Sequence, residues 1–260
     1  MAEAKLAVVT GASSGIGAAT ARALAARGWD VVLAARRAER LSMLAAELQA
    51  NGRRAEVLAV DLAEPAGRQA LFSAYPQASL LVNNAGLGWY GYAERMPWTL
   101  AHELIEVNIA AAVQLCLLYL PAMRARRRGH IINVGSIVGR LPNQGVALYG
   151  ASKAFLDAFT TSIYRELRGS GVEISVVRPG PVQSEFFDTA RRRDQGGSIP
   201  AERFAISPQA VADCILGLVD RPRRYAYVPW VMRFSPLLET GFGWLIDRLG
   251  PLLLKRSVKA

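Results

Sequence analysis

The chain is short of the residues that build metal and disulfide centres. Of its 260 residues, two are cysteine and two are histidine. Cys116 and Cys214 sit in apolar helical patterns and read as core thiols rather than a disulfide. His102 and His130 have no cysteine or carboxylate cluster around them, so no metal site is expected. Long apolar runs are missing as well. The most apolar charge-free helical stretch, about Asn108 to Met123, falls short of the ~20 residues of a membrane-spanning helix and reads as a buried one. No linker, repeat or composition break divides the sequence, so one α/β domain with an ample core is expected. Met1 to Lys5 runs straight into an apolar strand without a signal-peptide pattern, which predicts a cytoplasmic protein. Acid is scarce relative to base, and the net charge is +10. The surplus arginines are scattered and accompany no nucleic-acid motif. They read as solvated surface, or as a face for an anionic carrier or a membrane.

What the chain does have is concentrated between Ser136 and Lys153. The β-branched run Ile131-Ile132-Asn133-Val134 before it reads as a buried strand. Phe155, Leu156, Phe159, Ile163 and Leu167 after it fit one helix face. Ser136 therefore ends a strand, and Tyr149 and Lys153 share a face of the next helix at i and i+4. Open α/β sheets bind ligands at the carboxyl ends of their strands. A cation beside a phenol lowers its pKa by roughly 1–3 units. Lys153 can be that cation, making Tyr149 a general acid or base, while Ser136 holds the reacting oxygen. None of the three carries a hydride, so a redox cofactor is required.

The rest of the chain supplies a place for one. Lys5 to Thr10 reads as a strand and Ala18 to Arg27 as a helix, with Gly11-Ala-Ser13-Ser14-Gly15-Ile16-Gly17 between them. Strand, glycine loop and helix form the setting of a dinucleotide fingerprint, although the spacing is G-x-x-x-G-x-G. The second strand, Asp30 to Ala35, ends in Arg36 and Arg37. Arginine there suits the 2′-phosphate of NADP, where NAD-binding chains carry an acid. The alternative is a solvated arginine pair. A third strand, Arg53 to Val60, is closed by Asp61 and Leu62; Asp61 either accepts from an adenine amino group or caps a helix. Ser79 to Val82 is a fourth strand, followed by Asn83-Asn84-Ala85-Gly86. Asn108 lies in the apolar helix Leu100 to Arg127, as a packing residue or a polar relay. Glu173 to Val177 is a sixth strand, followed by Pro179, Gly180, Val182 and Ser184; Ser184 bonds a cofactor amide or caps a helix. Glu185 to Phe204 reads as irregular, a mobile lid. Pro208 to Asp220 is a helix and Tyr225 to Val228 a last strand.

Together these motifs, in this order from Lys5 to Val228, resemble the short-chain dehydrogenase/reductase family, whose glycine spacing is the one seen here. The resemblance implies a Rossmann-like, doubly wound parallel sheet of seven strands, order 3-2-1-4-5-6-7. It implies Asn108, Ser136, Tyr149 and Lys153 as a catalytic tetrad, with Asn108 holding a relay water and Lys153 binding the nicotinamide ribose. It also implies that Asn83, Asn84, Ala85 and Gly86 lie beside the cofactor and that Pro179-Gly180 touches the nicotinamide. Ser184 departs from the family's usual threonine but keeps the hydroxyl. Arg36 resembles the NADP-preferring members. Pairing through the two long helices, to a homodimer or homotetramer, is the family's default.

The motifs fix neither substrate nor direction. Trp89, Tyr90, Tyr92, Leu141, Phe186 and Phe187 are expected near the pocket and favour a hydrophobic ketone, aldehyde or secondary alcohol. Alternatives are reduction of a 3-oxoacyl chain on a carrier protein, or a non-catalytic NADP-sensing or scaffold protein. Residues 1–228 form the expected catalytic domain, with a lid at about 182–206. The segment 229–260 is an apolar extension too rich in Trp, Phe and Leu for a solvated tail. Pro236 and Pro251 are expected to break it, so it should not span a bilayer. It covers the pocket, joins a subunit interface, or lies on an anionic membrane with Lys255, Arg256 and Lys259 at the headgroups.

Overall fold

A computed structural model describes residues 5–194, 196 and 204–255. Part of the expected lid, and Arg256 and Lys259 of the tail, lie outside them. Seven strands form one sheet: β1 Leu6–Thr10, β2 Asp30–Ala35, β3 Ala55–Ala59, β4 Leu80–Asn83, β5 Gly129–Val134, β6 Val172–Pro179 and β7 Tyr225–Val228. Every pairing is parallel, and the order is β3-β2-β1-β4-β5-β6-β7, as expected. Unbroken apolar runs such as Leu6-Ala-Val-Val make this stable, because both faces are covered by helices. The two-residue period splits each strand between two cores. Val9 and Leu33 face α1 (Gly15–Ala26), α2 (Ala38–Ala50) and α8 (Pro208–Asp220). Val8, Val32, Leu81 and Ile131 face the opposite layer, α3 (Pro65–Ala74), α5 (Ala111–Ala125) and α6 (Ala147–Glu166).

Three segments differ from the sequence expectation. The long helix expected over Leu100–Arg127 runs as α4 (Trp98–Ile105), a π-helical turn at Glu106–Ala110, and α5. The widened turn is centred on Asn108, and such turns concentrate at functional sites. Contrary to the expected length, Trp98–Ala125 is long and apolar enough to cross a membrane, although 44% of its most apolar window is buried inside the protein.

The segment read as irregular begins instead with a helix, α7 (Glu185–Arg192). Ser184 caps it by accepting from the Phe186 N–H at 3.4 Å, and acids in the first turn and arginines in the last suit the helix dipole. The tail forms a short 3₁₀ turn, Trp230–Phe234, and then one helix, α9 (Ser235–Lys255), without the expected breaks. Pro236 is the second residue of α9, where a missing N–H costs nothing.

Candidate active site

A cavity of about 800 Å³ opens along the carboxyl ends of the strands. One end is the glycine loop. Gly11 and Gly15 hold φ of +64° and +54°, in the left-handed region open to glycine. Gly11, Ser13, Ser14, Gly15 and Ile16 all line the cavity. Gly17 does not. A Cβ there would stand 2.3 Å from the Gly11 carbonyl oxygen, so this glycine lets α1 pack onto its own turn.

Arg36, Arg37, Asp61 and Leu62 form another wall. Asp61 accepts from the Ala63 N–H at 2.9 Å, tying the turn before α3. Its other oxygen lies 3.8 Å from Arg36. Asp61 thus does not cap α3, whose N-cap is Glu64, and its carboxylate still borders the cavity.

Ala85 and Gly86 line the middle, but Asn83 corrects the expectation. Its side chain is buried away from the cavity, donating to Asn133 Oδ1 at 2.9 Å. The neighbour Asn84 lines the cavity instead. Its amide donates to the Thr10 carbonyl at 2.9 Å, locking β4 to the glycine loop. Asn83 continues the inward alternation of β4, whereas Asn84 is the first residue past the strand.

Ser136, Tyr149 and Lys153 meet in the same cavity. Ser136 hydrogen-bonds the Tyr149 hydroxyl. Lys153 Nζ donates to the Val134 carbonyl at 2.9 Å and lies 5.8 Å from the centre of the Tyr149 ring. Burial pushes the Lys153 ammonium down to about 8. Tyr149 keeps some exposure to the cavity it lines, yet its crowded surroundings push the phenol up to about 12, opposed only by the Ser136 hydrogen bond. This corrects the expected lowering of the phenol by the cation: desolvation outweighs a charge that is turned toward a backbone carbonyl.

Asn108 lies beside this group rather than in the cavity wall. Its amide donates to the Leu87 carbonyl at 2.9 Å and to Ser152 Oγ at 3.1 Å, and its oxygen accepts from the Leu87 N–H at 2.7 Å. Both amide hydrogens are therefore used, and the side chain holds the loop after β4 against α6.

Pro179, Gly180, Val182 and Ser184 complete the wall. Of the apolar residues expected near the pocket, Tyr90, Phe186 and Phe187 line it, and Trp89 lines a small side pocket against Tyr149. Tyr92 and Leu141 line neither. Leu245 and Leu249 of α9 reach the cavity, while Trp230, Leu237, Phe242 and Trp244 stay exposed.

A nucleotide-sized cavity walled by a glycine loop, with a Ser-Tyr-Lys group on its far side, defines a dinucleotide-dependent oxidoreductase architecture. The short chain dehydrogenase family model matches residues 5–195. The 3-oxoacyl-(acyl-carrier-protein) reductase of Escherichia coli (strain K12) is 32% identical over 86% of this chain and 93% of its own length. A short-chain dehydrogenase from Sphingobium yanoikuyae, solved with NADPH, matches with a TM-score of 0.81 and 31% identity over 93% of this chain and 95% of that one. A short-chain dehydrogenase/reductase from Burkholderia phymatum, solved with NAD, matches with a TM-score of 0.84 and 25% identity, over 93% and 95%. The chain belongs to the short-chain dehydrogenase family, a class of oxidoreductases.

Proposed function

We propose that this chain is an NADP(H)-dependent oxidoreductase acting on a hydrophobic ketone, aldehyde or secondary alcohol, with Tyr149 as general acid or base. The observation that carries the reading is that one cavity joins the glycine loop and the Arg36–Arg37 pair to Ser136, Tyr149 and Lys153. The residues fit a dinucleotide. Gly11 and Gly15 line the cavity with backbone in the glycine-favouring region at the start of α1, the setting in which a helix N-terminus meets a pyrophosphate. Relatives of this fold hold either coenzyme, so the choice falls to local charge: two arginines, with no acid ending β2, favour the phosphate-bearing one.

The nicotinamide coenzyme, when bound, supplies the hydride. The chain's own residues handle the oxygen and the proton. Tyr149 keeps its proton at neutral pH, the form that donates to a carbonyl oxygen during reduction. Ser136 steadies that oxygen, and Lys153 adds positive charge beside the phenol below pH of about 8. Asn108 positions the loop and helix that carry these groups. Asp61 and Leu62 border the adenosine end, and Pro179, Gly180, Val182 and Ser184 the nicotinamide end. Residues 1–228 are the catalytic unit. Apolar Tyr90, Phe186 and Phe187, joined by Leu245 and Leu249 of the extension, suit an apolar substrate.

A 3-oxoacyl group on an acidic carrier is the second reading, favoured by the +10 charge and the Escherichia coli relative. Activity that requires the carrier and falls with salt supports it. Pairing through α5 and α6, where Leu117 and Phe155 are exposed, makes a homodimer. The outward apolar side of α9 also suits contact with an anionic bilayer, for which vesicle co-sedimentation is the test. The overall reading is tested by a panel of ketones and alcohols followed by nicotinamide absorbance. Turnover with NADPH on apolar carbonyls supports it, and binding of coenzyme without turnover of any substrate refutes it.

A further inference from the structure

Both arginines assigned to the coenzyme phosphate are held by carboxylates that connect to the lid. Arg37 donates to Glu185 at 2.8 Å, and Arg40 donates to both oxygens of the same carboxylate at 2.5 and 2.6 Å. Arg37 also bonds Ser13 and Ser14 of the glycine loop, at 2.9 and 2.7 Å. Glu185 is the first residue of α7 and follows Ser184, whose Cβ stands 3.0 Å from where a Gly15 Cβ would be. The start of α7 therefore rests on the glycine loop through Glu185. The far end of α7 is tied as well. Arg193 donates to Glu103 at 2.8 Å, and Glu103 also accepts from Arg36 at 3.2 Å. These arginines hold both carboxyls below the usual carboxylate range, Arg40 and Arg37 acting on Glu185 and chiefly Arg193 on Glu103. Between the two ties, α7 lays Phe186 against Tyr149, ring centres 5.5 Å apart.

A phosphate monoester carries about −1.5 to −2 charge near neutral pH. It cannot share the same guanidinium groups with a carboxylate without strong like-charge repulsion. We propose that Glu185 is a built-in competitor for the coenzyme's 2′-phosphate, which takes Arg37 and Arg40 from it and so frees the start of α7 from the glycine loop. Arg40, in the first turn of α2, is then a third cation for the phosphate. NAD, lacking that group, leaves the tie in place. The proposal rests on the NADP reading above, and coenzyme choice is then reported to the wall of the substrate pocket.

The test uses the full chain with two probes, adenosine 2′,5′-bisphosphate and 5′-AMP. Calorimetric titration gives affinity, and amide hydrogen exchange reads α7. In the wild type, the bisphosphate binds more tightly than 5′-AMP and speeds exchange in α7, whereas 5′-AMP does not. Glu185→Gln keeps the helix start but removes the charge. It binds the bisphosphate about two- to fivefold more tightly, the scale of half-exposed ion pairs, with 5′-AMP unchanged and α7 exchanging fast without ligand. A carboxylate that merely props the arginines gives the opposite sign: Glu185→Gln then binds the bisphosphate more weakly, and the proposal fails. It fails too if the bisphosphate slows α7 exchange in the wild type. No wild-type preference for the bisphosphate sinks the NADP reading along with it; a clear preference unaffected by Glu185→Gln sinks the competitor alone.

Discussion

Tyr149→Phe removes one hydroxyl and little else. The ring keeps its place 5.5 Å from the Phe186 ring and 5.8 Å from Lys153 Nζ. Ser136 loses a partner, but it faces a cavity where water replaces the bond, so stability should change by less than about 1 kcal/mol. Chemistry has no such substitute. The phenol, held up to about 12, is the protonated group beside Ser136. General acid catalysis contributes typically ~10²–10⁴-fold, or about 3–5 kcal/mol at 1.36 kcal/mol per decade. Steady-state reduction with NADPH should therefore show kcat down at least ~10²-fold, with melting temperature and coenzyme Kd nearly unchanged. A variant that keeps more than about a tenth of wild-type kcat refutes the assignment of the proton to Tyr149.

Three further outcomes follow from the same structure. Arg178 and Asp157 form a buried bidentate pair with both bonds at 2.7 Å; Asp157→Ala should cost about 3–5 kcal/mol of unfolding free energy, because it strands a buried guanidinium, and a loss under 1 kcal/mol in urea titration contradicts this. Burial pulls His130 down to about 4, so the unfolded chain takes a proton near pH 6.5 that the folded chain refuses. Stability should then fall by about 3 kcal/mol as pH drops from 6.5 to 4, and His130→Asn should flatten that limb of the melting profile. At the α5–α6 face, Leu117→Glu with Phe155→Glu should give a monomer by sedimentation; an unchanged dimer moves the interface elsewhere.

The sheet was legible because its strands are dense in Val, Ile, Leu and Ala, and the glycine loop because Gly11, Gly15 and Gly17 follow one of them directly. The strand order came from the family resemblance, since periodicity alone does not order parallel strands. Local features were less readable. The π turn at Asn108 leaves no mark in composition. Asn83 and Asn84 are the same residue type, and only the point at which β4 ends turns one inward and the other to the cavity. The charged, glycine-bearing segment from Glu185 read as an irregular lid, but Ser184 caps α7, and its acids at the start and arginines at the end suit the helix dipole. Pro236 was taken as a breaker although it stands in a first turn. The direction of the Tyr149 shift was misjudged because desolvation is a three-dimensional quantity that i, i+4 spacing does not carry.

The central claim is that the cavity carries NADPH and the Ser136-Tyr149-Lys153 group to the same carbonyl. Single-turnover reduction of an apolar ketone, with the transferring hydrogen of NADPH replaced by deuterium, tests it most directly. The account predicts deuterium on the product carbinol carbon in the wild type and a rate at least ~10²-fold lower for Tyr149→Phe with the same label. Product without the label, or equal rates for the two proteins, contradicts it.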